Sequence, residues 1–163
     1  MAVGCTSTSP PPVSQEGLDV TRATSALARL GFSYAEIHIF ADESLAAYSY
    51  SDGSIFLSRG LIDKTTDDQL AAVLAHELGH LTRVQTPVIQ SRYTLEGSGR
   101  LDQEQQADDF ACSLLLARSI PVSSLAQVLT LTRDDPCTAT ELKPALTRRI
   151  VRLPVGADLR VRP

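Results

Sequence analysis

Apolar and polar residues alternate along the chain with two different periods, and the periods mark out its elements. Leu18, Val20, Ala23, Leu27 and Leu30 recur at helical spacing and stop at Gly31, which predicts a first helix closed by a glycine. Ala35-Glu36-Ile37-His38-Ile39-Phe40 alternates with period two, as a half-buried strand does. Residues 46–50 and 54–58 favour strand and flank Ser51-Asp52-Gly53, a hairpin signal. Arg59-Gly60-Leu61-Ile62 reads as a short turn of helix.

Thr65 and Thr66 precede Asp67, Asp68 and Gln69, a cap with acidic residues in the first turn of the next helix. That helix is predicted over about residues 67–83, with Leu70, Val73, Leu74, Leu78 and Leu81 as its core stripe. Residues 84–100 form a long irregular connection. A second strong helix covers 102–117, Ile120-Pro121 ends it, and 122–131 and 144–153 complete the helical set. The expected fold class is α+β: one mostly helical domain over 17–154, with a short hairpin or sheet beside the central helix. Residues 1–16 read as a disordered Pro/Ser/Thr-rich tether and 155–163 as a tail.

Composition narrows the function classes. The chain has 163 residues, enough for one core, and a net charge of -4. It carries no basic footprint for nucleic acid, and the lack of tryptophan leaves little base-stacking surface. No run approaches the roughly eighteen apolar residues of a membrane span. Cys112 lies in a helical pattern and reads as a small buried hydrophobe, with pairing to Cys137 left open. Ala2-Val3-Gly4-Cys5 resembles the end of a bacterial lipoprotein signal. It implies lipidation at Cys5 and a place in the cell envelope or periplasm, with a cytoplasmic location as the alternative.

The central helix carries His76-Glu77-Leu78-Gly79-His80. Histidines four apart lie on one face, so His76 and His80 can present ring nitrogens to a single ion. Glu77 sits about 100° round the helix, where a base acting on metal-bound water belongs. The chain has three histidines, and His38 on its strand reads as a sheet-surface residue, so the third ligand is expected to be a carboxylate. Glu104, Ala107, Asp108, Ala111 and Leu115 share one stripe of the 102–117 helix. Two acids beside two alanines there fit a helix that approaches the first closely, with Glu104 on the ion and Asp108 taking a ligand histidine's free N–H. Asp109 points elsewhere as a solvent charge. Glu96, Asp102, Asp134, Asp135 and Glu141 compete for the role of Glu104 without its stripe. The plain alternative is a solvated face of histidines and acids.

Residues 54–61, the helix of 68–80 and Glu104-Gln105-Gln106-Ala107-Asp108 together resemble the M48 family of gluzincin metallopeptidases. That family includes bacterial periplasmic and lipoprotein quality-control proteases and the CAAX prenyl proteases, and the resemblance covers roughly residues 45–153. It implies a small gluzincin-like fold and one Zn2+ per chain held by His76, His80 and Glu104. It further implies Glu77 as general base in hydrolysis of extended or unfolded protein, and Asp108 as the orienter of a ligand histidine. It also implies that Ser54, Ile55, Phe56, Leu57 and Ser58 form an edge strand that holds the substrate backbone. Where the family commonly has His-Pro followed by Arg-Ile, this chain has Lys143-Pro144 and Arg149-Ile150. Two other readings are a latent, zinc-stabilised binding or chaperone-like domain and an ImmA/IrrE-like cytosolic regulator protease.

Overall fold

The computed structural model describes residues 20–82, the backbone of 93–94, and residues 101–154. The expectations for Leu18, Cys5, Glu96, the tether and the tail lie outside these residues.

Helix α1 (Thr21–Arg29) buries Ala23, Ala26 and Leu27, and Gly31 comes after its end at φ +83, as its position in the pattern required. Arg22 on α1 donates hydrogen bonds to the carbonyls of Ile62 and Thr65 and pairs with Asp67 at 2.6 Å. It ties α1 to the start of the central helix.

The sheet has four strands in the order β1-β3-β2-β4: β1 (Glu36–Phe40), β2 (Ala47–Ser49), β3 (Ser54–Ser58) and β4 (Tyr93–Thr94). β2 and β3 form the expected antiparallel hairpin, with Gly53 at φ +95 in its turn and Asp52 accepting from the Ser54 N–H. β1 runs parallel to β3, and β4 runs antiparallel to β2. Ile39, Ala47, Ser49, Ile55 and Leu57 face the helices and are buried. On the other face His38 stacks on Phe56 at 4.6 Å and lies 3.2 Å from Glu36.

The strand order corrects one expectation. Ser54–Ser58 is an inner strand, bonded to β1 on one side and β2 on the other, and not an edge. Its backbone donors and acceptors are taken, so it cannot accept a further strand. Ser58 instead caps helix α2 (Arg59–Lys64), accepting from Leu61 N–H and donating to the Ser44 carbonyl.

Helix α3 (Asp67–Leu81) starts with a complete capping box between Thr66 and Gln69. Every residue from Leu70 to His80 is buried, whereas the stripe predicted burial on one side. The alanines explain the difference. They allow α1, β2, α4 (Leu101–Ala117) and α5 (Ser123–Asp134) all to pack around α3. Burying Leu70, Leu74 and Leu78 stabilises the fold by about 2 kcal/mol each. A 3-10 turn (Thr140–Leu142) leads into helix α6 (Lys143–Arg152), which packs on α4 and α5. Cys112 is buried, and neither it nor Cys137 is in a disulfide. No described helix is long and apolar enough to cross a membrane.

Candidate metal centre

Helices α3 and α4 approach closely where Gly79 meets Ala107. A β-carbon at Gly79 would meet Ala107 Cα and O at 3.0 Å and its Cβ at 3.3 Å. Gly79 separates the two histidines of α3, and Ala107 lies one turn after Glu104 on α4. The small pair therefore sets the spacing across which the polar residues meet.

At that spacing His76, His80 and Glu104 each offer a ligand atom, all within 4.8 Å of one another. The two histidine Nε2 atoms are 3.1 Å apart. Glu104 Oε2 lies 3.3 Å from His76 Nε2, and Oε1 lies 3.5 Å from His80 Nε2. All three residues are buried. Buried ligand atoms of two histidines and a carboxylate that face one another are costly to leave so, and a cation between them would offset the cost. Two imidazole nitrogens and a carboxylate oxygen are a donor set that suits zinc with a fourth position open. The residues fit a metal.

Asp108 stands where the stripe placed it, with Oδ1 2.9 Å from His76 Nδ1. An aspartate can only accept, so the proton sits on Nδ1 and Nε2 is left to face the cluster. Asp109 is exposed and pairs with Arg152 at 2.7 Å. Asp134 pairs with Arg133 at 2.8 Å, and Asp135 lies 3.8 Å from Lys64. Among the described residues His38, Asp102, Asp134, Asp135 and Glu141 stay out of the cluster.

Two residues at the centre were given no role from the sequence. Arg149 of α6 is 1% exposed. It grips Asp108 with Nε and Nη2, both at 2.8 Å, and its Nη1 lies 2.9 Å from Glu104 Oε2 as an ion pair. A signal existed: Leu146, Arg149 and Leu153 fall at i, i+3 and i+7, which puts an arginine on an apolar stripe. The guanidinium of Arg149 brings positive charge to this centre. The second residue is Ser49, whose hydroxyl donates to Glu77 Oε2 at 2.7 Å. Its signal was a polar side chain at an inward strand position.

The charges shift one another. Burial raises the Glu77 carboxyl, and although His76 and the Ser49 hydrogen bond pull it down, it is pushed up to about 7. For His76, burial and the Arg149 charge favour the neutral ring, but hydrogen bonds to Asp108 and Glu104 outweigh them and raise it to about 9. Burial works against an ionised Asp108, yet the Arg149 guanidinium holds its carboxyl far below the usual range. The result is a buried cluster with a carboxylate poised near neutrality beside it.

Two histidines one turn apart, a carboxylate from the next helix and a glutamate directly after the first histidine define a metal-dependent hydrolase site on a small α+β domain. Residues 14–98, just over half of the chain, match the model of peptidase family M48, and the chain belongs to that family. The match holds α3 and the sheet but ends before Glu104, so the third donor is placed by the packing of α3 on α4. No curated protein matches the chain.

Proposed function

We propose that the protein is a zinc-dependent endopeptidase acting on extended or unfolded protein segments. The observation that carries the reading is the buried meeting of His76, His80 and Glu104, with a ligand atom of each within 4.8 Å of the others. Membership of a peptidase family supplies the reaction type.

Zinc at such a site supplies Lewis acidity toward the scissile carbonyl and the attacking water. His76 and His80 offer Nε2 and Glu104 a carboxylate oxygen to hold it. Asp108 fixes the tautomer and ring orientation of His76, and Arg149 balances the charge of Glu104 and Asp108. Glu77 takes a proton from the water as it attacks the carbonyl carbon. It then delivers that proton to the leaving nitrogen as the C–N bond breaks. Glu77 is buried, with Oε2 held by the Ser49 hydroxyl. Zinc analysis with peptide-library cleavage, wild type against Glu77→Gln, tests the reading. Full activity in the variant removes Glu77 from the role.

A second reading, a latent domain, is favoured by the β2–β4 pairing. β4 runs along the open side of β2 with Tyr93 opposite Ser49, the residue that touches Glu77. An extended substrate that sought that edge would meet the chain itself. Tyr93→Pro and Thr94→Pro weaken the pairing. A rise in peptide turnover in either supports latency, and unchanged turnover in both counts against it. We also propose envelope attachment through Cys5, tested by membrane fractionation of wild type and Cys5→Ser.

A further inference from the structure

We propose that Ser49 is a positioning residue that locks the Glu77 carboxylate, so that one oxygen is anchored and the other is kept for the proton transfer. The proposal rests on Glu77 serving as the base.

Ser49 lies on β2 with its side chain toward the helices, on the same face as Ala47 of its own strand and paired with Ile55 across it. It is fully buried, as is Glu77. A hydroxyl in that apolar setting must find an acceptor, and on a strand whose own carbonyls belong to the ladder the acceptor has to come from elsewhere. It comes from α3. The Ser49 hydroxyl donates to Glu77 Oε2 at 2.7 Å, the length of a charge-assisted bond.

The two oxygens of Glu77 are therefore unlike. Oε2 is held by the sheet, and Oε1 is buried with no partner. A glutamate side chain has three torsions, and the last of them, which swings the carboxylate plane, is broad and weakly preferred. One fixed oxygen removes that freedom and leaves the other in a single place. Proton transfer requires a base within hydrogen-bond reach of the proton it takes, so a carboxylate free to rotate loses turnover before it loses substrate binding. A merely structural serine would affect stability and metal content instead.

The test uses the full chain loaded with zinc, as wild type, Ser49→Ala and Ser49→Thr, with an internally quenched peptide as substrate. Ser49→Ala is expected to keep one zinc per chain and a KM within about twofold, while kcat falls about tenfold or more, the scale of one hydrogen bond to a charged group. Ser49→Thr keeps the hydroxyl and is expected to recover most of the lost kcat. Crystals of zinc-loaded Ser49→Ala are expected to show the Glu77 carboxylate turned away or in two positions. A kcat within twofold of wild type overturns the proposal. So does a Glu77 carboxylate that stays in place without the hydroxyl, whatever happens to kcat. If wild type binds zinc and cleaves nothing, the reading as a peptidase falls. The crystal comparison still decides whether Ser49 holds the carboxylate.

Discussion

Gly79→Ala tests the packing on which the metal centre depends. In an exposed helix this substitution stabilises by about 1 kcal/mol, because alanine has the better helix propensity. Here the new methyl group would sit 3.0 Å from Ala107 Cα and O, some 0.4 Å inside the 3.4 Å at which ordinary contact begins. The atoms in the way are helix backbone, which cannot swing aside as a side-chain end can. Relief requires α4 to move off α3 by a few tenths of an ångström. Overpacking of this kind costs about 1–3 kcal/mol, so the propensity gain is cancelled or reversed.

The greater effect is expected at the proposed ligands. His76 and His80 ride on α3 and Glu104 on α4, and metal–ligand distances tolerate only about 0.2 Å of error. Zinc affinity is expected to fall about tenfold or more, against a stability change of about 0–2 kcal/mol in the destabilising direction. Denaturant unfolding of zinc-stripped protein and zinc titration against a chromophoric chelator measure the two effects. A variant stabilised by about 1 kcal/mol with unchanged zinc affinity would refute the argument that Gly79 sets the helix spacing.

Other substitutions and conditions probe the charges. Arg149→Met leaves Glu104 and Asp108 buried without their counter-charge, and zinc-stripped protein is expected to lose about 3 kcal/mol of stability in denaturant unfolding. A loss under about 1 kcal/mol would contradict the role given to that arginine. His76, held up at about 9, carries a second proton, on Nε2, at pH 7.5 in zinc-stripped protein. Zinc must displace that proton, so apparent affinity rises with pH and levels off above about 9. Calorimetry in two buffers of different ionisation enthalpy should show proton release at about pH 7.5, and none there would refute the assignment. The same shift, from 6.5 unfolded to about 9 folded, adds stability that is complete below 6.5 and lost as pH rises through about 9.

The residues that were legible in the sequence are those whose relation is local or periodic. His76 and His80 stand one helical turn apart, and Glu104, Ala107 and Asp108 share a stripe, so spacing alone put each set on one face. The hairpin was legible because Asp52-Gly53 allows a tight turn that few other pairs allow. Strand order was not. β3 lies between β1 and β2 because the chain from β1 passes over and returns, and no period within 54–58 records which neighbours a strand will find. The all-round burial of α3 was hidden for a related reason, since alanine fits a core and a surface equally well.

The roles of Arg149 and Ser49 were missed because no shared stripe or motif role pointed to their partners, 41 and 28 residues away. An arginine in an arginine-rich helix and a serine in a short strand look ordinary until the apolar neighbours at their spacing are counted. Both break the local rule for inward positions, and both do so beside the candidate metal centre, where such exceptions tend to gather.

The most direct test of the central claim is zinc content measured together with peptide hydrolysis for wild type and Glu77→Gln. The expected result is one zinc per chain in both proteins, cleavage by wild type that is abolished by chelation, and a loss of at least about a hundredfold in kcat for the variant. Wild type that holds no zinc, or a zinc-loaded Glu77→Gln that cleaves as fast as wild type, would contradict it.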